Sequence, residues 1–149
     1  MPKSTNGEQG TGAGIRLALL ASEFNYDVTT LMLQRAAEEA QFLGAQVTHT
    51  LKVPGVYDMP LAVSALMRLP DVDAVVAVGA VIEGETDHDQ LVANQAARKL
   101  LDLSVEHGKP LGLGITGPGE TRTQAQDRVD KASGAVHAAV KMVRRLREL

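Results

Sequence analysis

The stretch DAVVAVGAVI at residues 73–82 constrains the fold of this chain more than any other. It is almost continuously apolar and rich in valine, a composition typical of a β-strand that is covered on both faces. A strand is covered in this way when helices pack on both sides of its sheet. We therefore expect the centre of the fold to be a parallel sheet between two helical layers.

Strands and helices alternate along the rest of the chain. This alternation predicts βαβ units with right-handed crossovers, and hence a three-layer αβα sandwich of flavodoxin-like shape around a central four-stranded parallel sheet. Residues 1–14 are expected to be a flexible tail and residues 15–149 one domain. The expected strands are 15–21, 46–53, 73–82 and 111–115, and the main helices are 28–43, 60–68, 89–107 and 133–149.

Two local signals follow the last predicted strand. Gly117, Pro118 and Gly119 together predict an abrupt loop, since glycine and proline are the strongest breakers of regular structure. Thr121, with Gln124 three residues later, predicts a capping box at the start of a helix.

Composition excludes several classes of function. The chain of 149 residues has no cysteine, which excludes disulfides, thiolate zinc sites and cysteine nucleophiles. Its net charge of -3 and its 3% aromatic content argue against nucleic-acid binding. No segment approaches the ~20 apolar residues of a membrane span. MPKSTNGEQGTGAG lacks the apolar core of a signal peptide, so we expect a cytoplasmic protein with no membrane partner.

Four unusual segments follow the four predicted strands. In an open parallel sheet the ligand crevice lies outside the carboxyl ends of the strands. All four segments would border that one edge, so we expect the ligand site there. They are SEFN at 22–25, PGVYD at 54–58, GETDH at 84–88 and TGPG at 116–119.

The acidic stretch at 83–89 is open to more than one interpretation. The calcium-loop pattern is absent and the stretch holds one histidine, which disfavours a metal site. Gly84 and Thr86, just before a predicted helix, favour an anion site at the helix N-terminus. Arg128 is the candidate cation, because it lies one turn from Gln124 on a helix that begins at the same edge.

Two side chains near this edge have both a structural and a functional interpretation. His88 is either an exposed loop histidine or a general acid–base, since imidazole titrates near neutral pH. Phe24 is either an anchor packed into the core or a surface on which a flat ring stacks. Tyr57 and Asp58 would offer hydrogen bonds to a polar ligand.

The motifs SEFN, VPGVYDMPLA, VGAVIEGETDH and TQAQDRV, in this order, resemble the 6,7-dimethyl-8-ribityllumazine synthase family over about residues 15–146. IEGETDHD followed by GITGPGETRTQAQDRV is similar to its archaeal-type branch. The resemblance implies a transferase of riboflavin biosynthesis. It would condense 5-amino-6-(D-ribitylamino)uracil with 3,4-dihydroxy-2-butanone 4-phosphate, releasing phosphate and water, without a metal or an organic cofactor.

The resemblance also implies a role for each matching residue. Phe24 would stack on the pyrimidine, and His88 would transfer protons. Arg128 would bind the phosphate, reaching in from a neighbouring subunit. The other implied substrate-binding residues are Asn25, Val56, Tyr57 and Asp58 beside the ribityl chain and pyrimidine, Val81 and Ile82 in the ring pocket, Gly84, Glu85 and Thr86 at the phosphate, and Leu113 in the neighbour's wall of the pocket.

Three departures from the family pattern bear on these roles. Asp58 stands where many members have glutamate, which shortens the arm that reaches the ribityl chain. Leu113 occupies a position often taken by phenylalanine. Lys131 is the nearest counterpart of a family lysine.

Other functions stay open on the sequence. The archaeal-type riboflavin synthase, which dismutates two lumazines, uses no phosphorylated substrate, so Arg128 and the GET sequence at 84–86 argue against it. A non-catalytic shell protein would not need His88 and Phe24. A generic phosphate-binding module would not need His88 either.

Family precedent implies assembly as well. Members of the family form homopentamers, so we expect a homopentamer here. The resemblance also implies that riboflavin synthase is the neighbouring enzyme of the pathway. The short segment after Arg128 favours a 60-subunit shell, in which an N-terminal strand can join the neighbouring subunit's sheet, although residues 1–14 have poor strand propensity.

Overall fold

Four parallel strands form the centre of the protein, in the order β2-β1-β3-β4. The computed structural model describes residues 9–84 and 88–149. The strands are β1 (Arg16–Ser22), β2 (Gln46–Val53), β3 (Ala74–Ile82) and β4 (Leu111–Glu120). The helices are α1 (Tyr26–Leu43), α2 (Met59–Met67), α3 (Asp89–His107), α4 (Arg122–Asp127) and α5 (Lys131–Arg147), with a 3₁₀ turn at Val56–Asp58.

Strand β3 is buried along its whole length, as its apolar run predicts. Successive side chains of a strand point to opposite faces of the sheet, so β3 contributes to two separate cores. Val76 and Val78 belong to the core under α1 and α5. Val75 and Ala77 belong to the core under α2 and α3. The prediction of a three-layer αβα sandwich with a four-stranded parallel sheet is thereby confirmed.

Local signals place the four main helices to within two residues at every end. Gly44 and Gly108 follow α1 and α3 with φ of 84° and 64°, the left-handed conformation that glycine adopts at helix C-termini. The capping box is present: Thr121 Oγ1 accepts the N–H of Gln124 at 3.2 Å, and Gln124 Oε1 accepts the N–H of Thr121 at 2.9 Å.

The predicted loop at residues 117–119 is wrong, because β4 continues through it to Glu120. Gly117 and Gly119 have φ of 89° and 80°, so the breaker residues do adopt unusual backbone conformations. Pairing with β3 nevertheless resumes at Ile82 and Glu120 after a register shift, as at a β-bulge. A side chain at Gly117 would collide with the carbonyl oxygen of Val81, and this close approach requires glycine.

Residues 9–14 form turns that lie against the domain. The N–H of Gly12 donates to Leu43 O at 2.7 Å, and Arg144 Nη1 donates to Thr11 O at 3.0 Å. Residues 1–8 of the predicted tail lie outside the described residues, and the domain boundary at residue 15 stays a prediction. In the described ranges, no helix is both long enough and apolar enough to cross a membrane.

Candidate active site

The topological switch point of the sheet lies between β1 and β3, because the chain continues to β2 on one side of β1 and to β3 on the other. Ligands of open α/β sheets bind outside the carboxyl ends of the strands at such a point. A cavity of about 280 Å³ opens there. It is lined by Phe24, Gly55, Val56, Tyr57, Asp58, Ala80, Val81, Asp89 and Val92.

Phe24 follows β1 and borders this cavity, and 66% of the residue is exposed, so it is not packed into the core. The N–H groups of Glu23 and Phe24 donate to Val53 O at 2.8 Å and to Pro54 O at 3.0 Å, which ties the turn to the end of β2. A Cβ at Gly55 would lie 3.0 Å from Phe24 Cδ2. The absence of a side chain at residue 55 therefore lets the ring lie close to the backbone of the second loop.

Asn25 caps α1 in a left-handed conformation, with φ 61° and ψ 46°. Its Nδ2 donates to Ala80 O at 3.3 Å, and its Oδ1 accepts from Arg122 Nη2 at 2.8 Å. Nη1 of the same arginine donates to both oxygens of Asp27 at 2.9 Å. The side chain of Asn25, which directly follows Phe24 in the chain, thus links the end of β1 to the end of β3 and to α4.

The loop after β2 presents polar groups to the cavity. Asp58 Oδ2 accepts the N–H of Gly55 at 3.0 Å, while the N–H of Asp58 donates to Gly55 O at 3.0 Å. This reciprocal pair closes a tight 3₁₀ turn. Tyr57 remains 69% exposed on the turn, and Val56 is buried beneath it.

The two residues predicted in the ring pocket, Val81 and Ile82, lie at the end of β3 and place their side chains on opposite faces of the sheet. Val81 lines the cavity, whereas Ile82 belongs to the core under α1 and α5. Leu113 of β4 packs against the α2–α3 core, on the same side of the sheet as Val81.

The acidic loop is described in part. Gly84 has φ of 82° with open space where a side chain would lie. Glu85 and Thr86, both predicted at the phosphate, lie outside the described residues, as does Asp87. His88 is exposed at the N-cap of α3, and its carbonyl accepts the N–H of Val92 at 2.8 Å.

Gly55 belongs to the predicted segment at 54–58, but three other lining residues were not predicted at the ligand site: Ala80, Asp89 and Val92. A signal for two of them was present, because residues at i and i+3 share a helix face and α3 begins at this edge. That spacing places Asp89 and Val92 together at the cavity.

Arg128 ends α4 with its side chain 48% exposed. Its Nη1 donates to Glu120 Oε1 at 3.1 Å, and the side chain of Glu120 is 0% exposed. Glu120 Oε2 accepts from Thr116 Oγ1 at 2.7 Å. Arg128 does not appear among the described residues that line the cavity.

Over residues 9–84 and 88–149, no group of three or more His, Asp or Glu side chains is arranged to hold a metal ion.

A parallel sheet in this strand order, with an aromatic ring and hydrogen-bonding groups at its switch point, defines an α/β protein that binds a small molecule. The family model described as 6,7-dimethyl-8-ribityllumazine synthase matches residues 14–147. The chain belongs to the 6,7-dimethyl-8-ribityllumazine synthase family.

Relatives named 6,7-dimethyl-8-ribityllumazine synthase are similar to nearly the whole chain. The protein from Pyrobaculum arsenaticum is 60% identical over 136 residues, 91% of this chain and 91% of that relative. The one from Methanococcus maripaludis is 53% identical over 135 residues, 91% of this chain and 98% of the relative. The one from Staphylothermus marinus is 56% identical over 135 residues, 90% of each.

The comparisons confirm the family resemblance that the four motifs predicted. They confirm with it the expectation of an enzyme, a transferase of riboflavin biosynthesis.

Proposed function

We propose that the protein forms 6,7-dimethyl-8-ribityllumazine by condensing 5-amino-6-(D-ribitylamino)uracil with 3,4-dihydroxy-2-butanone 4-phosphate, releasing phosphate and water. The observation that carries this proposal is the switch-point cavity. There the exposed ring of Phe24 lies beside the polar turn at 55–58, in a chain of this family. A flat heterocycle with a polyhydroxylated chain needs one surface for stacking and hydrogen-bonding groups next to it.

The pyrimidine end of the site is assigned to the cavity. Phe24 stacks on the ring, and Val81 and Ile82 form its pocket. The position of Val81 at the cavity supports its role, whereas Ile82 contributes through its backbone because its side chain belongs to the opposite core. Val56, Tyr57 and Asp58 hold the ribityl chain, supported by the position of all three at the cavity. Asn25 also contributes to substrate binding next to these residues, and Leu113 forms part of the pocket wall toward a neighbouring subunit.

The phosphate end is assigned to Gly84, Glu85 and Thr86 of one subunit together with Arg128, which reaches in from a neighbouring subunit. The open space beside Gly84 supports close approach of an anion to the backbone. The half-exposed guanidinium of Arg128 supplies the positive charge that an acidic loop requires before it can hold phosphate.

His88 transfers protons during imine formation, phosphate elimination and ring closure. Its place at the N-cap of α3, next to Asp89 at the cavity, supports this role. A neutral imidazole can accept a proton in one step, and the imidazolium so formed can donate it in the next. Holding the two reactants together supplies much of the remaining rate enhancement.

The functional unit is proposed to be a homopentamer, assembled further into a 60-subunit shell. Large apolar side chains exposed on one helical layer support a subunit contact: Leu61 is 78% exposed on α2, and Leu91 and Val105 are 56% and 85% exposed on α3. Light scattering tests the assembly, and a particle of five chains would exclude the shell. The protein acts in the cytoplasm, and riboflavin synthase consumes its product.

The proposal is tested by mixing the purified protein with both substrates and following lumazine absorbance. We expect formation well above the spontaneous rate, strongly reduced in Arg128→Ala and reduced in His88→Ala. No acceleration by the intact protein would exclude the proposed reaction. The same sample given lumazine alone would then distinguish the paralogous dismutase from a shell protein without catalysis.

A further inference from the structure

Glu120 lies at the last position of β4, and its side-chain carboxylate is 0% exposed. Burying a carboxylate is costly unless donors satisfy its oxygens. Oε1 accepts from Arg128 at 3.1 Å, and Oε2 accepts from Thr116 at 2.7 Å. Both oxygens therefore have a donor, and one of these donors carries a full charge on a half-exposed side chain.

The backbone of Glu120 is hydrogen-bonded to the segment that follows β3, at the same edge of the sheet. Its carbonyl accepts the N–H of Glu83 at 2.8 Å, and its register partner is Ile82 at the end of β3. The acidic loop leaves the sheet at this point, one residue before Gly84. One residue thus fixes the start of the loop through its main chain and the guanidinium of Arg128 through its side chain.

The geometry leaves Arg128 with donors to spare. A guanidinium has five N–H donors in a rigid plane. The bond to Glu120 uses Nη1, and nearly half of the side chain remains accessible to solvent. A fixed guanidinium of this kind can bind a phosphate with two parallel hydrogen bonds, whereas a mobile one loses side-chain entropy on binding.

We propose that Glu120 is a positioning residue for phosphate binding, which acts through Arg128 by holding its guanidinium in place. The inference rests on the proposed function in assigning Arg128 to the phosphate. It adds that the buried carboxylate, although negative, strengthens phosphate binding rather than weakening it.

A double-mutant cycle tests this inference. Glu120→Gln keeps the side-chain volume and replaces a charge-assisted hydrogen bond with a neutral one, so the variant is expected to fold. We expect the KM for the butanone phosphate to rise about fivefold. The KM for the pyrimidine should stay within twofold, and Arg128→Ala should have the larger effect. In the Arg128→Ala background, Glu120→Gln should add nothing, because the residue through which it acts is missing.

Glu39→Gln is the matched control. Glu39 is the other buried glutamate among the described residues and lies on α1, near the opposite end of that helix from the cavity. We expect it to leave both KM values unchanged. An equal effect of Glu120→Gln with and without Arg128 would overturn the inference. So would a fall in the KM for the phosphorylated substrate, which would mean that the carboxylate competes with phosphate for the arginine.

Calorimetric titration with inorganic phosphate repeats the cycle without turnover. We expect Glu120→Gln to bind phosphate more weakly than the unsubstituted protein. The double variant should bind it no more weakly than Arg128→Ala alone. Equal binding by both proteins would reject the positioning role even if no lumazine were formed. Failure of the proposed reaction and failure of this inference are therefore distinguishable.

Discussion

Asn25 adopts a left-handed backbone that costs a non-glycine residue roughly 1–2 kcal/mol. Asparagine tolerates this conformation better than most residues, and here its amide also bonds to Ala80 and Arg122. Phe24 precedes it directly, so the orientation of the ring depends on these contacts. A strained residue next to a ligand cavity is common at functional sites.

Arg122→Ala should weaken substrate binding more than it weakens the fold. The variant loses three hydrogen bonds, two to Asp27 and one to Asn25, all of them at the surface. Exposed ion pairs contribute about 0.2–1 kcal/mol, so unfolding should change little. The KM for the pyrimidine should rise roughly three- to tenfold, because the turn that carries Phe24 loses hydrogen bonds that hold it in place.

Arg35→Ala serves as the control for that change. It also removes an exposed arginine–aspartate pair, with Arg35 Nε 2.9 Å from Asp130 Oδ1, but between α1 and α5. Steady-state kinetics and thermal unfolding of both variants make the comparison. Equal KM values in the two would exclude the bracing role of Arg122.

At the scale of elements, the contact of β4 with α5 depends on the absence of side chains. A Cβ at Gly112 would collide with the carbonyl oxygen of Ala135 and would lie 2.9 Å from its carbonyl carbon. These are main-chain atoms of a helix, which cannot move without shifting the whole element. The close approach places α5, and with it the end of α4, against the sheet edge where Arg128 lies.

Gly112→Ala should therefore lower the free energy of unfolding by at least about 2 kcal/mol, as overpacked cores do. Gly134→Ala provides the matched control, because Gly134 is exposed in α5 and has nothing within 4 Å of its Cβ position. That change should raise stability by about 0.5–1 kcal/mol through helix propensity. Denaturant unfolding measures both, and a neutral Gly112→Ala would contradict the packing described.

Element bounds were predicted correctly where they depend on residues close in sequence, and incorrectly where they depend on pairing with a distant strand. The predicted bounds of β2 and α3, residues 46–53 and 89–107, were correct. The end of β4 was wrong, because glycine and proline report a local break and not the pairing with β3 that continues beyond it. In the same way, the sequence grouped Val81 with Ile82, while the pleat of β3 separates their side chains.

At the scale of the whole molecule, a charge cluster joins β1, the residue just before β3, and α5 at the sheet edge opposite the candidate site. Asp73 accepts from the N–H and the guanidinium of Arg16 at 2.7–3.2 Å, and Arg147 Nη2 lies 3.3 Å from it. Burial alone would raise the pKa of Asp73. The hydrogen bonds and charge of Arg16, assisted by Arg147, outweigh burial and hold the pKa below its ordinary value of 3.8.

This lowered pKa makes stability depend on pH in a defined direction. A carboxyl whose pKa is lower in the folded state stabilises the fold above the unfolded value of 3.8, and that contribution is lost as pH falls through the folded pKa. The melting temperature should thus fall on acidification below about pH 4, and less steeply in Asp73→Asn. If the melting temperatures of the two proteins fell by the same amount over this pH range, the stabilising role assigned to the Asp73 carboxylate would be contradicted.

Sequence by itself determined the properties that neighbours along the chain control. Apolar runs, capping residues and four motifs were sufficient for the layers, for the edge of the sheet where the candidate cavity opens and for the family. Tertiary structure alone decided the contacts between distant residues. Arg122 meets Asn25 across 97 positions, and Glu120 is buried beneath Arg128 at the end of a strand that local signals would have ended earlier. The physical reason is that a helix or strand pattern records which face is apolar, whereas partners across the sheet depend on strand order and register.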